Sequence, residues 1–165
     1  MSLRQSIVNN VVQLLPPTRA YKLKVRLWRW AGVSIAADAR LVSSVRIWTS
    51  GTVFIGEDTF MGHEVMVVGG GAPVVIGARC DIAPRVIFVA GSHLDGGEER
   101  AAGEGVSHPI SVGDGVWIGT GTTVLGNVEI GDGAIIGAGS LVNKAVPPRV
   151  IAGGVPCRVI RNRAF

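Results

Sequence analysis

Between residues 112 and 147 the chain repeats every six residues: Val-Gly-Asp-Gly-Val-Trp, Ile-Gly-Thr-Gly-Thr-Thr, Val-Leu-Gly-Asn-Val-Glu, Ile-Gly-Asp-Gly-Ala-Ile, Ile-Gly-Ala-Gly-Ser-Leu and Val-Asn-Lys-Ala-Val-Pro. The first place of each hexad, at Val112, Ile118, Val124, Ile130, Ile136 and Val142, holds a β-branched aliphatic residue, and in four of the six glycine follows at once. A period of six matches neither the roughly 3.6 of a helix nor the 2 of a long strand, so the repeat itself is the structural unit. Each hexad supplies a short strand that points its aliphatic residue inward, then a turn where a small residue avoids a clash. Three hexads close one triangular coil, and stacked coils pair as parallel strands about 4.8 Å apart. The pattern predicts a parallel β-helix.

The same phase recurs upstream. Ile76, Ile82 and Phe88 make one set of three; Ile55, Met61 and Val67 make another; Ile35, Leu41 and Ile47 make the first. Extra residues fall at 50–51 and at Gly69-Gly70-Gly71-Ala72-Pro73, and an eighteen-residue excursion, Leu94 to Ser111, precedes Val112. The result is about five coils from 35 to 147, in a β-helical domain spanning 33–165 behind a helical cap at 1–32. With 24 glycines, 47% hydrophobic and 17% charged residues, the composition suits a prism with an aliphatic core and many tight turns.

The net charge of +4 and pI of about 9.7 invite nucleic acid as a partner, but the distribution argues against it. Basic residues gather before the repeat (Arg4, Arg19, Lys22, Lys24, Arg26, Arg29) and after it (Arg149, Arg158, Arg161, Arg163), without the basic and aromatic interleaving of an RNA-binding surface. No apolar run reaches the roughly 18 residues of a spanning helix, and the early run near Ile7 to Leu15 lacks a cleavage site, so a cytoplasmic protein is expected. Cys80 and Cys157 are too few for a disulfide framework.

Residues 3–15 and 18–31 read as two helices broken at Pro16-Pro17, the second with Leu23, Leu27 and Trp30, and Trp28 near them, on its apolar side opposite Lys22, Arg26 and Arg29. Two roles stand together for them: covering the open first coil, and resting a basic, Trp-containing face on an anionic membrane.

His63 and Glu64 fall in a turn of the second coil, where a surface or interface role competes with acceptor binding. Glycines 69–71 precede no helical pattern, so they mark a corner rather than a phosphate cradle. His93 stands where the chain leaves the prism for the 94–111 excursion, which also carries Asp95 and His108. Long unpatterned loops inside repeats are usually functional, and an imidazole rooted on a rigid frame suits a general base. His63, His93 and His108 are spread too far along the chain for the paired spacing of a zinc-dependent carbonic anhydrase built on such a prism, so no metal is expected. Arg158 and Arg161 in the closing segment could hold phosphates or be simply solvated.

Taken together, the hexads, Gly-Ser-His-Leu-Asp at 91–95, Gly-Val-Trp-Ile-Gly at 115–119, Ile-Gly-Ala-Gly-Ser at 136–140 and Ala-Gly-Gly-Val-Pro-Cys-Arg-Val-Ile-Arg at 152–161 resemble the hexapeptide-repeat acetyltransferases. The branch of maltose, galactoside, nodulation-factor and polysaccharide O-acetyltransferases is the most similar. That resemblance implies a left-handed helix, a homotrimer with active sites between subunits, acetyl-CoA as donor and a saccharide as acceptor. It implies His93 as the catalytic base and Trp117, Thr120, Ala138, Asn143, Lys144, Arg158 and Arg161 along acetyl-CoA. Where the family carries an active-site Asn, this chain has Gly62, which leaves acceptor contact to His63, Glu64 and Asp95. Transfer to an amino sugar and a non-catalytic trimeric scaffold are the alternatives.

Overall fold

The computed structural model describes residues 1–164. The prism has five full coils. The first comprises β1 (Ser34–Ile35), β2 (Arg40–Leu41) and β3 (Arg46–Trp48); the second β4 (Val53–Ile55), β5 (Phe60–Met61) and β6 (Met66–Val68); the third β7 (Val74–Ile76), β8 (Asp81–Ile82) and β9 (Ile87–Val89). A ribbon of β10 (Gly91–Asp95) and β11 (Ala102–Ser107) then leaves the prism. The fourth coil is β12 (Ile110–Val112), β13 (Trp117–Ile118) and β14 (Thr123–Leu125), and the fifth is β15 (Val128–Ile130), β16 (Ile135–Ile136) and β17 (Leu141–Val142). A closing hairpin of β18 (Val150–Gly153) and β19 (Arg158–Asn162) follows.

Stacking yields three parallel faces: β1-β4-β7-β12-β15, then β2-β5-β8-β13-β16-β18 with β19 antiparallel at its end, then β3-β6-β9-β14-β17. The helix is left-handed, against the right-handed rule for ordinary parallel crossovers. All fifteen hexad positions named above, from Ile35 to Val142, are buried, none more than 4% exposed. They form one continuous apolar column, aliphatic but for Phe88, which is the main source of stability for a fold this rich in turns. Coils stack so closely at the corners that only glycine fits at some of them: a Cβ on Gly119 would lie 2.5 Å from the backbone nitrogen of Ala138.

The 94–111 excursion is a correction. It is an ordered antiparallel ribbon that starts at Gly91 and ends at Ser107, with His93 opposite Gly105; Ser111 already belongs to the prism, in β12. Val106 is the one β-branched residue in the two arms, too little to betray a strand, so the pairing is invisible to pattern reading.

The helices also depart from expectation. α1 spans Leu3–Val11, a 3₁₀ turn follows at Val12–Leu14, and α2 spans Tyr21–Trp30. α2 starts late because Ala20 takes a left-handed conformation, φ 54°. Its buried face is Lys24, Val25 and Trp28, with Leu27 packed against the core as the periodicity reading has it; Leu23 and Trp30, expected on the same side, point outward. The reason lies in the edge that the helices cover. The first coil has no strand beneath it, and three polar side chains meet the backbone of its three inward positions: Arg29 Nε donates to the Ile35 carbonyl at 2.7 Å, Lys24 Nζ to that of Leu41 at 3.3 Å, and Asn9 Nδ2 to that of Ile47 at 2.9 Å. Asn9 Oδ1 also accepts the Ile47 N–H at 3.1 Å, so one amide side chain imitates the missing strand. Buried backbone groups must be paired, and that need outranks apolar periodicity here.

Candidate functional site

The corner joining the second face to the third is a continuous column of turns. Glu64 N–H donates to Ser44 Oγ (3.0 Å), Arg85 N–H to the His63 carbonyl (2.8 Å), Gly121 N–H to the Pro84 carbonyl (3.0 Å) and Gly139 N–H to the Thr120 carbonyl (2.8 Å). His63, Glu64, Thr120 and Ala138, from three different coils, therefore share one edge of the prism.

At its lower end His63 Nδ1 lies 3.4 Å from Ser44 Oγ, and Glu64 forms a 2.8 Å ion pair with Arg85. Glu64 and Arg85 border a groove of about 530 Å³ with Ser44, Arg46, Met66 and Ile87; His63 faces a smaller one beside Gln13 and Pro17. The pair is exposed, so it organises side chains more than it stabilises the fold. A Cβ on Gly62 would approach the Ile82 carbonyl and the Pro84 nitrogen to 3.0 Å. A side chain at this position would therefore press on the backbone of the coil above, which must shift by a few tenths of an ångström to admit it.

Higher up, Trp117 is 54% exposed on the second face, between Asp81 and Ile135 in register. It borders a groove of about 530 Å³ with Phe60, Asp81, Ile82, Ala83 and Pro84. Thr120 Oγ1 donates to the Pro84 carbonyl at 2.6 Å. The amides on either side are engaged, Gly119 with the Ile136 carbonyl and Gly121 with that of Pro84, whereas the Thr120 N–H has no backbone acceptor among the described residues. At the top Asn143 is exposed. Lys144 and Arg158 meet across a groove of about 210 Å³ that Cys157 and Val159 also line, with Arg158 anchored on the Cys157 carbonyl at 2.7 Å. Arg161, opposite Ile151 on β19, lies outside that groove.

His93 stands elsewhere. It projects from the ribbon between the third and first faces, exposed, into a groove of about 570 Å³ lined by Val68, Gly69 to Gly71, Val89 and the ribbon residues Val106 and Ser107. Gly105 opposite leaves open space beside it. The 69–71 glycines, expected only as a corner, make room for the ribbon's root. A Cβ on Gly69 would meet the Gly91 nitrogen at 2.4 Å, and Gly71 N–H donates to Ser107 Oγ at 3.1 Å. Asp95 lies at the ribbon tip and accepts from Gly97 N–H at 3.1 Å, closing its own turn. The grooves of His93 and Trp117 share no residue. A single chain thus carries a stacked column at one corner and an imidazole at another, with the ribbon leaving the prism between the third coil and the fourth, which holds Trp117.

Cys157 lines the groove of Lys144 and Arg158, and Cys80 lines none of the grooves above. Cys80 is fully buried, its thiol donating to the Gly113 carbonyl at 3.1 Å. Burial pushes both the Cys80 and Cys157 thiols up, away from the thiolate a nucleophile needs. Among the described residues no group of three His, Cys, Asp or Glu side chains could hold a metal ion. Sequence reasoning missed Ser44, Arg46, Arg85 and Pro84, each brought in by stacking from a neighbouring coil.

Comparison with known proteins agrees with the geometry. Residues 109–144 match the family model "Bacterial transferase hexapeptide (six repeats)". The chain is 42% identical over 110 residues to the galactoside O-acetyltransferase of Escherichia coli, covering 67% of this chain and 54% of that protein. It spans about half the length of the curated relatives it matches. Among solved structures it is similar to a maltose O-acetyltransferase from Clostridium difficile 630 (TM-score 0.78, 25% identity, 98% of this chain and 85% of that one). It is also similar to a galactoside acetyltransferase in complex with coenzyme A (TM-score 0.76, 29% identity, 97% and 79%). The repeat, the coils it builds and these likenesses have one meaning: the chain belongs to the hexapeptide-repeat acetyltransferase family.

Proposed function

We propose that this protein transfers an acetyl group from acetyl-CoA to a sugar hydroxyl, on a surface polysaccharide or a lipid-linked saccharide precursor, in the cytoplasm and as a homotrimer. The observation that carries the reading is the division of the candidate residues between two corners: Thr120 and Ala138 stack on one, and His93 stands on a ribbon from the other. A threefold arrangement closes one complete site from each pair of neighbouring subunits.

In this reading the donor lies along the column, its pantetheine arm beside Trp117, Thr120 and Ala138. Asn143, Lys144 and Arg158 hold the nucleotide end, with Arg161 as a more distant cation. The acceptor enters beside His93 and Asp95 of one subunit and His63 and Glu64 of the next. His93 takes the proton of the attacking hydroxyl as the oxygen adds to the thioester carbon. The free N–H of Thr120 receives the developing oxyanion. Collapse of the tetrahedral species breaks the C–S bond, and the sulfur leaves with the proton returned by His93. Alignment of both substrates supplies much of the acceleration. No covalent acetyl-enzyme is required, in keeping with two buried, protonated thiols.

The test is CoA release from acetyl-CoA across a panel of sugars, amino sugars and nucleotide sugars. His93→Ala should retain CoA binding and lose about 10²-fold or more in kcat. Turnover restricted to amino sugars would replace the hydroxyl by an amine acceptor. No CoA binding by the wild-type protein would overturn the reading.

A further inference from the structure

The outward side of the N-terminal cap serves neither the β-helix nor the grooves above. α1 is apolar on both sides: Val8 is buried against the prism beside Asn9, whose amide reaches the Ile47 backbone, while Leu3, Ile7, Val11 and, in the 3₁₀ turn, Leu14 line the solvent side with 78%, 43%, 39% and 86% of their surface exposed. A surface helix with one buried face normally carries a polar outer face, so a second, outward apolar stripe is unusual. α2 adds Trp30, 49% exposed, with the Arg4 guanidinium 5.3 Å from its ring centre, which joins the outer sides of the two helices. From Met1 to Ala37 there is no Asp or Glu, and Arg4, Arg19, Lys22 and Arg26 of the same cap are exposed cations.

We infer that this face is a docking surface for an anionic lipid bilayer. Charge selects the occupant. A second copy of the same face would bring cations against cations, whereas a negatively charged leaflet is complementary to them. Shape agrees: Leu3, Ile7 and Val11 follow one another at four-residue spacing along α1, with Leu14 in the turn after it, and such a row beside an exposed indole suits insertion into the headgroup boundary. None of the described helices is long and apolar enough to cross a membrane, so the contact lies in the plane of the surface. Resting on the proposed function, the consequence is directional. The cap closes the first coil, next to the coil of His63 and Glu64, so the acceptor end of the column lies toward the lipid and the Lys144–Arg158 end away from it.

The experiment uses the full chain in co-sedimentation with vesicles of phosphatidylcholine alone and of phosphatidylcholine mixed with phosphatidylglycerol. Binding is expected to the mixed vesicles only, and to weaken as salt is raised. The double variant Leu3→Ser/Leu14→Ser and the double variant Arg4→Glu/Arg26→Glu should each weaken it by about tenfold or more with an unchanged thermal midpoint. Because acetyl transfer is not measured, the result stands apart from the fate of the enzymatic reading. Absence of binding to mixed vesicles would overturn the inference. So would binding that the leucine variant leaves intact, or a smaller oligomer in the leucine variant by sedimentation velocity, which would assign the stripe to a second copy.

Discussion

Replacing Asn9 by alanine removes the side chain that stands in for a strand beneath β3. Asn9 is 4% exposed and Ile47 is fully buried, so both the N–H and the carbonyl of Ile47 lose their partner in the variant. The Gln5 carbonyl, which also accepts from Asn9 Nδ2 at 3.0 Å, keeps its place in the helical ladder. Two orphaned backbone groups at roughly 1–2 kcal/mol each give about 2–4 kcal/mol. For a chain of this size that lowers the thermal midpoint by roughly 4–16 °C. Asn9→Asp sharpens the test. The carboxylate still accepts the Ile47 N–H but cannot donate to its carbonyl, so at neutral pH it should be no more stable than the alanine variant. Buried against a carbonyl, that carboxyl has its folded pKa raised. The variant therefore gains stability as pH falls through that value, when the acid acquires a proton to donate. Calorimetry of the three proteins at matched concentration, at neutral and acid pH, measures both effects. An alanine variant within about 0.5 kcal/mol of the wild type would refute the strand-mimic role.

Further outcomes are expected elsewhere in the prism. Gly119→Ala forces a methyl against the Ala138 backbone; it should cost about 1–3 kcal/mol in denaturant titrations and raise the KM for acetyl-CoA, because the same contact shapes the column. Gly62→Asn, despite supplying the residue other family members carry, should lower the melting temperature and fail to raise acceptor turnover. Asp114 is held below its usual pKa by the Ala78 N–H first and then by Arg79. A depressed carboxyl contributes stability above its unfolded pKa and loses it as pH falls through the folded value, so Asp114→Asn should flatten part of the acid limb below about pH 4 in a stability–pH profile.

How far the sequence carried depends on which contacts are local. The hexad phase needs no knowledge of partners: each aliphatic residue is inward because of its own turn, and every position assigned this way is buried. The helical cap was less legible, since Lys24 and Asn9 are chosen by strand edges some twenty to forty residues away, and apolar periodicity then pointed at Leu23 and Trp30, which face outward. His93 stood out as the residue at which the repeat breaks, although the ribbon that carries it did not, because Gly-Ser-His-Leu-Asp and Ala-Gly-Glu-Gly-Val-Ser have weak strand character. Ser44, Arg85 and Pro84 had no signal of their own. They reach the column because coils stack, and stacking is a property of the assembled register rather than of any one hexad.

A mixing experiment tests the shared site most directly. His93→Ala chains, which lack the base, are unfolded and refolded together with Ala138→Trp chains, whose indole would block the donor column, and CoA release is measured against wild type treated in the same way. If His93 of one subunit serves the column of the next, about a quarter of the sites in an equal mixture combine an intact histidine with an intact column, and about a quarter of wild-type activity returns. If each chain holds a complete site, every site in the mixture contains a defect, and activity stays at the level of the separate variants.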